Sequence, residues 1–160
     1  MKKIAVLYSE YTPTIDAIKY QLQNDEITCL KEPDNQMNRF DIVVLVNYNS
    51  EYQGKSLRCH HSLLPAFDTE EPVRDAILLG VKVTGITIYE TKSKKIITQY
   101  PVFIRDDIHF DELKQELNYL EQTIYPPVIE MILNNKPFNS RELISGNCNG
   151  NCGGCSGCKS

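Results

Sequence analysis

The sequence predicts an α/β fold with a mostly parallel sheet and an antiparallel pair of strands in its C-terminal half. Short apolar segments alternate with a helix-like segment in the first part of the chain. Segment 41–48, DIVVLVNY, is almost continuously apolar and β-branched, which is typical of a parallel strand covered on both faces. Segments 81–90 and 94–104 flank the polar link TKS, which indicates a hairpin-like pair.

The first half predicts the opening of a doubly wound sheet. Strands are expected at 3–8 (KIAVLY) and 26–30 (EITCL). Between them, apolar residues at spacings of 3 and 4 predict a helix, with Thr12 as N-cap before Pro13. The order strand, helix, strand, strand is the one in which such sheets begin.

Two more helices are expected in the second half. EEPVRDAILLG predicts a helix that begins at Pro72 and ends before Gly80. The stretch from Asp106 to Asn134 is broadly amphipathic, and Pro126–Pro127 predicts a kink or break in it.

The bulk composition predicts one soluble domain with a tail. The 160 residues suffice for one core, expected at 1–138. Five of the eight glycines lie between positions 146 and 157, so residues 139–160 are expected to form a flexible Gly/Cys-rich tail.

The net charge of −4 argues against nucleic acid as the main partner. No apolar run approaches the ~20 residues that a membrane helix needs, and IAVLY is too short for a signal peptide. A cytoplasmic location is therefore expected, with no membrane partner.

Two adjacent histidines precede the apolar loop SLLPAF. His60 follows a probable strand, SLRCH, so its imidazole could lie at the crevice where ligands of open α/β sheets bind and act there as an acid or base. The alternative is that one histidine only hydrogen-bonds within the loop and the other, His61, is solvated.

The succession of segments resembles the formyltransferase family, and within it the phosphoribosylglycinamide formyltransferases of purine synthesis. The segments that carry the resemblance are DIVVLVNY, CHHSLLPAF, DAILLGVKVTGITIY, IITQYPVFI and LEQTIYPPVIEMI, in this order, from about Asp41 to Phe138. The resemblance implies a Rossmann-like three-layer α/β/α domain that takes the formyl group of 10-formyltetrahydrofolate and passes it to an amine.

The resemblance also implies roles for particular residues. In the family an Asn, a His two residues later and an Asp on a later loop carry the chemistry. The His falls here on His60, and the folate-binding loop falls on residues that follow it, namely Ser62, Leu63, Leu64 and Pro65. His61 occupies a position that the family usually gives to Pro.

Three departures from the family pattern leave two functions open. Arg58 stands in place of the Asn, and its guanidinium can still donate hydrogen bonds to an oxyanion. The Asp loop is shortened to ETKSKK, which leaves Glu90 or a cluster of carboxylates at 68–71 (Asp68, Glu70 and Glu71) as substitutes. The glycines of the family's phosphate site are also missing after the first strand. The chain is either a divergent formyl-transferring enzyme that uses His60 and Arg58, or a non-catalytic protein of the same fold that binds a ligand or partner.

The tail predicts a metal or cluster site. Cys148, Cys152, Cys155 and Cys158 have the spacing C-x3-C-x2-C-x2-C, and four such thiolates suit zinc, Cu(I) or an iron–sulfur cluster. The alternatives are a disordered tail that binds metal only opportunistically and a tail that a redox or maturation protein handles. Cys59 could join a thiol site in the crevice, although buried strand cysteines are common.

Overall fold

Residues 1–136 are the part of the chain that the computed structural model describes. The strands in this range are β1 (Lys3–Leu7), β2 (Glu26–Leu30), β3 (Ile42–Leu45), β4 (Leu57–His60), β5 (Val83–Glu90) and β6 (Ile96–Phe103). The α-helices are α1 (Pro13–Gln21), α2 (Pro72–Leu78) and α3 (Phe110–Leu133), and a 3-10 helix spans Met37–Arg39.

The six strands form one sheet in the order β2-β1-β3-β4-β5-β6. The first four strands are parallel, and β5 is antiparallel to both β4 and β6. The predicted mostly parallel sheet with an antiparallel pair is therefore confirmed. The central strands β1 and β3 are almost continuously apolar because alternate side chains enter cores on opposite faces of the sheet.

The two faces of the sheet are covered unequally. All three α-helices contribute side chains to the larger core, which lies on one face. On the other face a smaller core is formed by residues of β1 and β3 together with Tyr48, and it packs against Met37, Phe40 and Tyr52. The layer on this second face thus consists of the 3-10 helix and neighbouring loops.

A kink or break was predicted at Pro126–Pro127; the helix α3 continues through both prolines, so there is no break, and a kink stays a prediction. Each proline costs about 3 kcal/mol in a helix interior. Tyr125, Val128 and Ile129, which flank the prolines, are fully buried. Burying such side chains contributes about 1.5–3 kcal/mol each, so packing against the sheet offsets the cost.

The predicted ends of α1 and α2 can also be compared with the structure. The helix α1 begins at Pro13, but Thr12 makes no side-chain capping bond, and its hydroxyl is buried without a partner among residues 1–136. Gly80 follows α2 with φ of +65°, as a helix-ending glycine does. No helix in the described range is long and apolar enough to span a bilayer. The predicted domain end at 138 and the tail lie outside the described residues.

Candidate functional site

The strand β4 presents different chemistry on its two faces. Arg58 and His60 point to the face that carries Tyr89 and Thr87, their cross-strand partners on β5. Side chains alternate along a strand, so Cys59 points to the opposite face, toward α3. Each face of this strand therefore carries a separate candidate site.

The hydrogen bonds of His60 fix its tautomer. Its Nδ1 lies 2.9 Å from the hydroxyl of Ser62, and that hydroxyl donates to the carbonyl oxygen of Ala66 at 2.7 Å. Ser62 has one hydroxyl proton, so Nδ1 of His60 must donate to the hydroxyl oxygen. The lone pair then lies on Nε2, which is the arrangement that a general base requires.

Burial lowers the pKa of His60 below its usual value of 6.5. A backbone hydrogen bond with Thr69 and the negative charge of Asp68 oppose this shift, while the neighbouring His61 and then Arg58 add to it. The net effect keeps the imidazole neutral at physiological pH, so it can accept a proton.

The loop after His60 is tied to the antiparallel strands. The Thr87 hydroxyl donates to the carbonyl oxygen of Ser62 at 2.7 Å and accepts from the backbone N–H of Leu64 at 3.0 Å. The side-chain amide of Gln99 donates to the carbonyl oxygen of Leu64 at 2.8 Å and to the Thr87 hydroxyl at 3.0 Å. These bonds fix the backbone of the candidate folate loop, whose Leu64–Pro65 peptide bond is cis.

Gly85 allows β5 and β6 to approach beneath this loop. A Cβ atom at this position would lie 1.9 Å from the carbonyl oxygen of Tyr100 and 2.8 Å from Cδ2 of Leu63. Both distances are far below van der Waals contact, so only glycine fits between the strand and the loop.

Arg58 is held by the backbone beside it. Its Nη2 donates to the carbonyl oxygen of Tyr48 at 3.0 Å. The guanidinium has five N–H donors, so others remain for a ligand. Arg58 precedes His60 by two residues on the same face, which places the two Cα atoms about 7 Å apart.

The candidate carboxylates differ in their distance from His60. Glu90 pairs with Leu57 at the other end of β4 and forms an ion pair with Lys55 at 3.7 Å, so it lies away from the imidazole. Asp68 is close enough for its charge to act on His60. All three members of the predicted cluster, Asp68, Glu70 and Glu71, are exposed, and only Asp68 has a charge that acts on His60.

A cavity of about 250 Å³ opens beside the loop that follows His60, on the face of the sheet that carries Tyr89, although neither Arg58 nor His60 lines it. Apolar and aromatic side chains line it together with one acid and one base: Leu64, Pro65, Tyr89, Ile96, Asp68 and Lys94. Two of the four predicted folate-binding residues, Leu64 and Pro65, thus line the cavity. The other two support the loop, because Ser62 is buried against His60 and Leu63 lies against Gly85.

The opposite face of β4 carries a second polar cluster. Nε2 of His61 and Oε2 of Glu121, a residue of α3, are 2.5 Å apart. The sulfur of Cys59 lies beside them, so that one sulfur, one imidazole nitrogen and one carboxylate oxygen are all within 4.8 Å of one another. Burial, and then the charge of Glu121, raises the pKa of the Cys59 thiol well above its usual value. His61 is therefore not a merely solvated loop residue.

Several residues of these sites were not predicted from the sequence alone. The alternation in TGITIY places Thr87 and Tyr89 on one face, which could have marked them as neighbours of β4. Nothing in the sequence marks Lys94 or Glu121. The predicted tail ligands (Cys148, Cys152, Cys155 and Cys158) lie outside the described residues.

Known proteins share this arrangement of strands and loops. The model of the Formyl transferase family matches residues 35–129. The phosphoribosylglycinamide formyltransferase of Bacillus subtilis (strain 168) is 36% identical over 86 residues, which are 51% of this chain and 44% of the relative. The methionyl-tRNA formyltransferase of Halalkalibacterium halodurans is 35% identical over 116 residues, or 66% of this chain and 36% of the relative. The chain spans about half the length, or less, of these curated relatives.

Solved structures agree on the fold. Glycinamide ribonucleotide transformylase 1 from Symbiobacterium toebii superposes with a TM-score of 0.72 at 22% identity, over 88% of this chain and 92% of that one. Phosphoribosylglycinamide formyltransferase from Bacillus halodurans gives 0.68 at 22% identity, over 82% and 95%. The family model covers more than half of the chain, including β3, β4 and the loop after His60. The chain therefore belongs to the formyl transferase family.

Proposed function

We propose that the chain transfers a formyl group from 10-formyltetrahydrofolate to an amine, with His60 as the proton acceptor. The observation that carries the proposal is the hydrogen-bond pair from His60 through Ser62 to the carbonyl oxygen of Ala66. It keeps the proton of the neutral imidazole on Nδ1 and the lone pair on Nε2, on the face of the sheet that bears the cavity. The bound folate would supply the formyl group.

In this proposal His60 and Arg58 have separate tasks. An amine that attacks a formyl carbon gains a positive charge, and Nε2 of His60 accepts the proton that it must lose. The formyl oxygen becomes negatively charged at the same time, and N–H groups of Arg58 can donate hydrogen bonds to it. The bond from the formyl carbon to the folate nitrogen then breaks, and the protonated His60 returns its proton to that nitrogen, so that tetrahydrofolate leaves. The positive charge of Arg58 also favours the neutral, proton-accepting form of His60.

The cavity suits part of a folate. Its volume of about 250 Å³ lies just below the 300–1,000 Å³ of typical ligand pockets, so it would take a ring system and leave a longer chain outside. Apolar walls from Pro65 and Ile96 and the ring of Tyr89 can contact a flat heterocycle. Asp68 and Lys94 can then bond to the donor and acceptor atoms at its edges.

Asp68 is the best replacement for the missing family carboxylate. It lines the cavity, and its charge favours the protonated imidazole that forms when His60 accepts a proton. We propose that Asp68 stabilises this charge and orients water beside it. The glycines of the family's phosphate site are missing after β1, so the acceptor amine can differ from glycinamide ribonucleotide.

The tail adds a proposal of its own. The tail is proposed to bind zinc, an iron–sulfur cluster, or a redox or maturation protein. This proposal is based only on the spacing of Cys148, Cys152, Cys155 and Cys158. Metal content of the intact chain, compared with a chain that carries serine at all four positions, tests it. A cytoplasmic location fits reduced thiols.

The first experiment measures binding of a 10-formylfolate analogue by calorimetry, followed by formyl transfer to a panel of amines. His60→Ala should weaken binding by up to about tenfold, the loss of one hydrogen bond from a neutral imidazole. It should slow transfer by about 10²–10⁴-fold, the usual contribution of a general base. The matched control is His109→Ala, which removes an exposed histidine at the start of α3 and should change neither result.

Either of two outcomes would overturn the proposal. If millimolar analogue fails to bind, no folate crevice exists. If the analogue binds but no amine is formylated, the chain is a non-catalytic binding protein of this fold.

A further inference from the structure

The cluster on the second face of β4 is not used by the proposed formyl transfer. Cys59 and His61 point away from the face of Arg58 and His60 and meet Glu121 on α3. A thiol, an imidazole and a carboxylate meet here at the boundary of the larger core, where isolated charges are costly. Glu121 is 8% exposed, although it lies on a helix whose surrounding face is apolar.

A hydrogen bond beside the cluster fixes the helix against the strand. Tyr125 lies one helical turn after Glu121, and its hydroxyl donates to the carbonyl oxygen of Leu57 at 2.8 Å. Leu57 precedes Cys59 by two residues on β4. The backbones that carry the three polar side chains are therefore held together by a fully buried contact, which is the rigid support that a coordination site needs.

We propose that Cys59, His61 and Glu121 bind a divalent transition-metal ion of the zinc class. Sulfur, nitrogen and oxygen ligands in this combination are those that Zn²⁺ accepts, whereas Mg²⁺ and Ca²⁺ prefer oxygen alone. One atom from each residue already lies within 4.8 Å of the others. Three protein ligands leave a fourth, open position for water or a ligand, as in zinc sites that act on substrates.

The charges and the geometry both fit such an ion. A thiolate and a carboxylate balance the two charges of the cation, so the bound site is neutral overall. The thiol loses its proton to solvent as the metal binds. At zinc–ligand distances of about 2.0–2.2 Å, nitrogen and oxygen ligands lie about 3.4 Å apart in a tetrahedron. The present contact of 2.5 Å between His61 and Glu121 must therefore open by about 1 Å.

The test separates this cluster from the tail thiols. In the full chain all four tail cysteines are replaced (Cys148→Ser, Cys152→Ser, Cys155→Ser and Cys158→Ser), and Co²⁺ is added anaerobically as a spectroscopic probe. One equivalent should produce the near-ultraviolet thiolate-to-cobalt band and the visible bands of tetrahedral cobalt. One equivalent of Zn²⁺ should abolish both.

Substitutions then assign the site. Cys59→Ser in this background should abolish the thiolate band. Glu121→Gln should weaken zinc binding by more than about 100-fold, which exceeds the loss typical of a residue that only hydrogen-bonds to a metal ligand. Cys29→Ser is the matched control, because Cys29 is the other free cysteine of the described range, and it should change nothing. Unchanged circular dichroism confirms that each variant is folded.

Two results would overturn the proposal. One is that the chain with serine in its tail binds no cobalt and no zinc in stoichiometric amount. The other is that the thiolate band persists after Cys59→Ser. In either case the contact between His61 and Glu121 is only a buried hydrogen bond. Both results are independent of folate binding.

Discussion

Replacing Tyr125 by Phe removes one hydroxyl from the contact between α3 and the sheet. The hydroxyl donates to the carbonyl oxygen of Leu57 at 2.8 Å and lies 3.3 Å from that of Leu45. A hydrogen bond contributes about 0.5–1.5 kcal/mol net, and a buried carbonyl left unpaired costs about 1–3 kcal/mol. We therefore expect Tyr125→Phe to lower the free energy of unfolding by about 1.5–3 kcal/mol.

Two other tyrosines provide matched controls for the same chemical change. Tyr119, on the same helix, is 71% exposed, so Tyr119→Phe should change stability by less than about 0.5 kcal/mol. The hydroxyl of Tyr100 is buried with no partner within residues 1–136, so Tyr100→Phe should be neutral or stabilising by up to about 1 kcal/mol.

Urea unfolding of the three variants, followed by circular dichroism, gives the three free energies directly. The melting temperature of Tyr125→Phe should also fall, by about 4–10 °C for a chain of this size. The reasoning is refuted if Tyr125→Phe and Tyr119→Phe have the same stability, because the buried bond would then contribute nothing.

Three further predictions concern the site and its support. Gly85→Ala places a methyl group 1.9 Å from the carbonyl oxygen of Tyr100, so it should destabilise the chain by about 3 kcal/mol or more, and retention of wild-type stability in urea would contradict this. Ser62→Ala removes the acceptor of Nδ1 of His60, and ¹⁵N shifts should then report a mixture of tautomers where the wild type has one. The lowered pKa of His60 favours the neutral form in the folded state, so its contribution to stability is complete above about pH 6.5 and is lost as the pH falls through the folded pKa. Unfolding at pH 8 and pH 5 should therefore show the advantage of the wild type over His60→Gln shrinking at the lower pH, and an advantage that grew there would contradict the direction of the shift.

Individual strands and helices could be predicted because the burial of their side chains gives a periodic pattern of apolar residues in the sequence. The strand predicted at EITCL has the bounds Glu26–Leu30 in the structure, and the helix predicted to begin at Pro72 does so. The antiparallel pair was predictable from alternation and the polar link between its strands. Such patterns depend on neighbouring residues alone, so one sequence is enough to read them.

Contacts between distant segments could not be predicted in the same way. His61 and Glu121 are 60 residues apart, and a glutamate in an amphipathic helix is normally solvated. The continuity of α3 through Pro126–Pro127 has a related cause, since packing around Tyr125 outweighs the local cost of the prolines. Lys94 reaches the cavity from a turn in which its φ is +57°, and no periodic pattern extends into that turn.

The alternation of side chains along β4 has a consequence for how this chain can change in evolution. Neighbouring codons supply opposite faces, so a mutation at position 59 changes the side that faces α3 and leaves Arg58 and His60 in place on the other side. One short strand can therefore carry the proposed formyl-transfer residues on one face and a proposed metal ligand on the other. Insertion of a single residue in the same strand would exchange the two faces and end both roles at once.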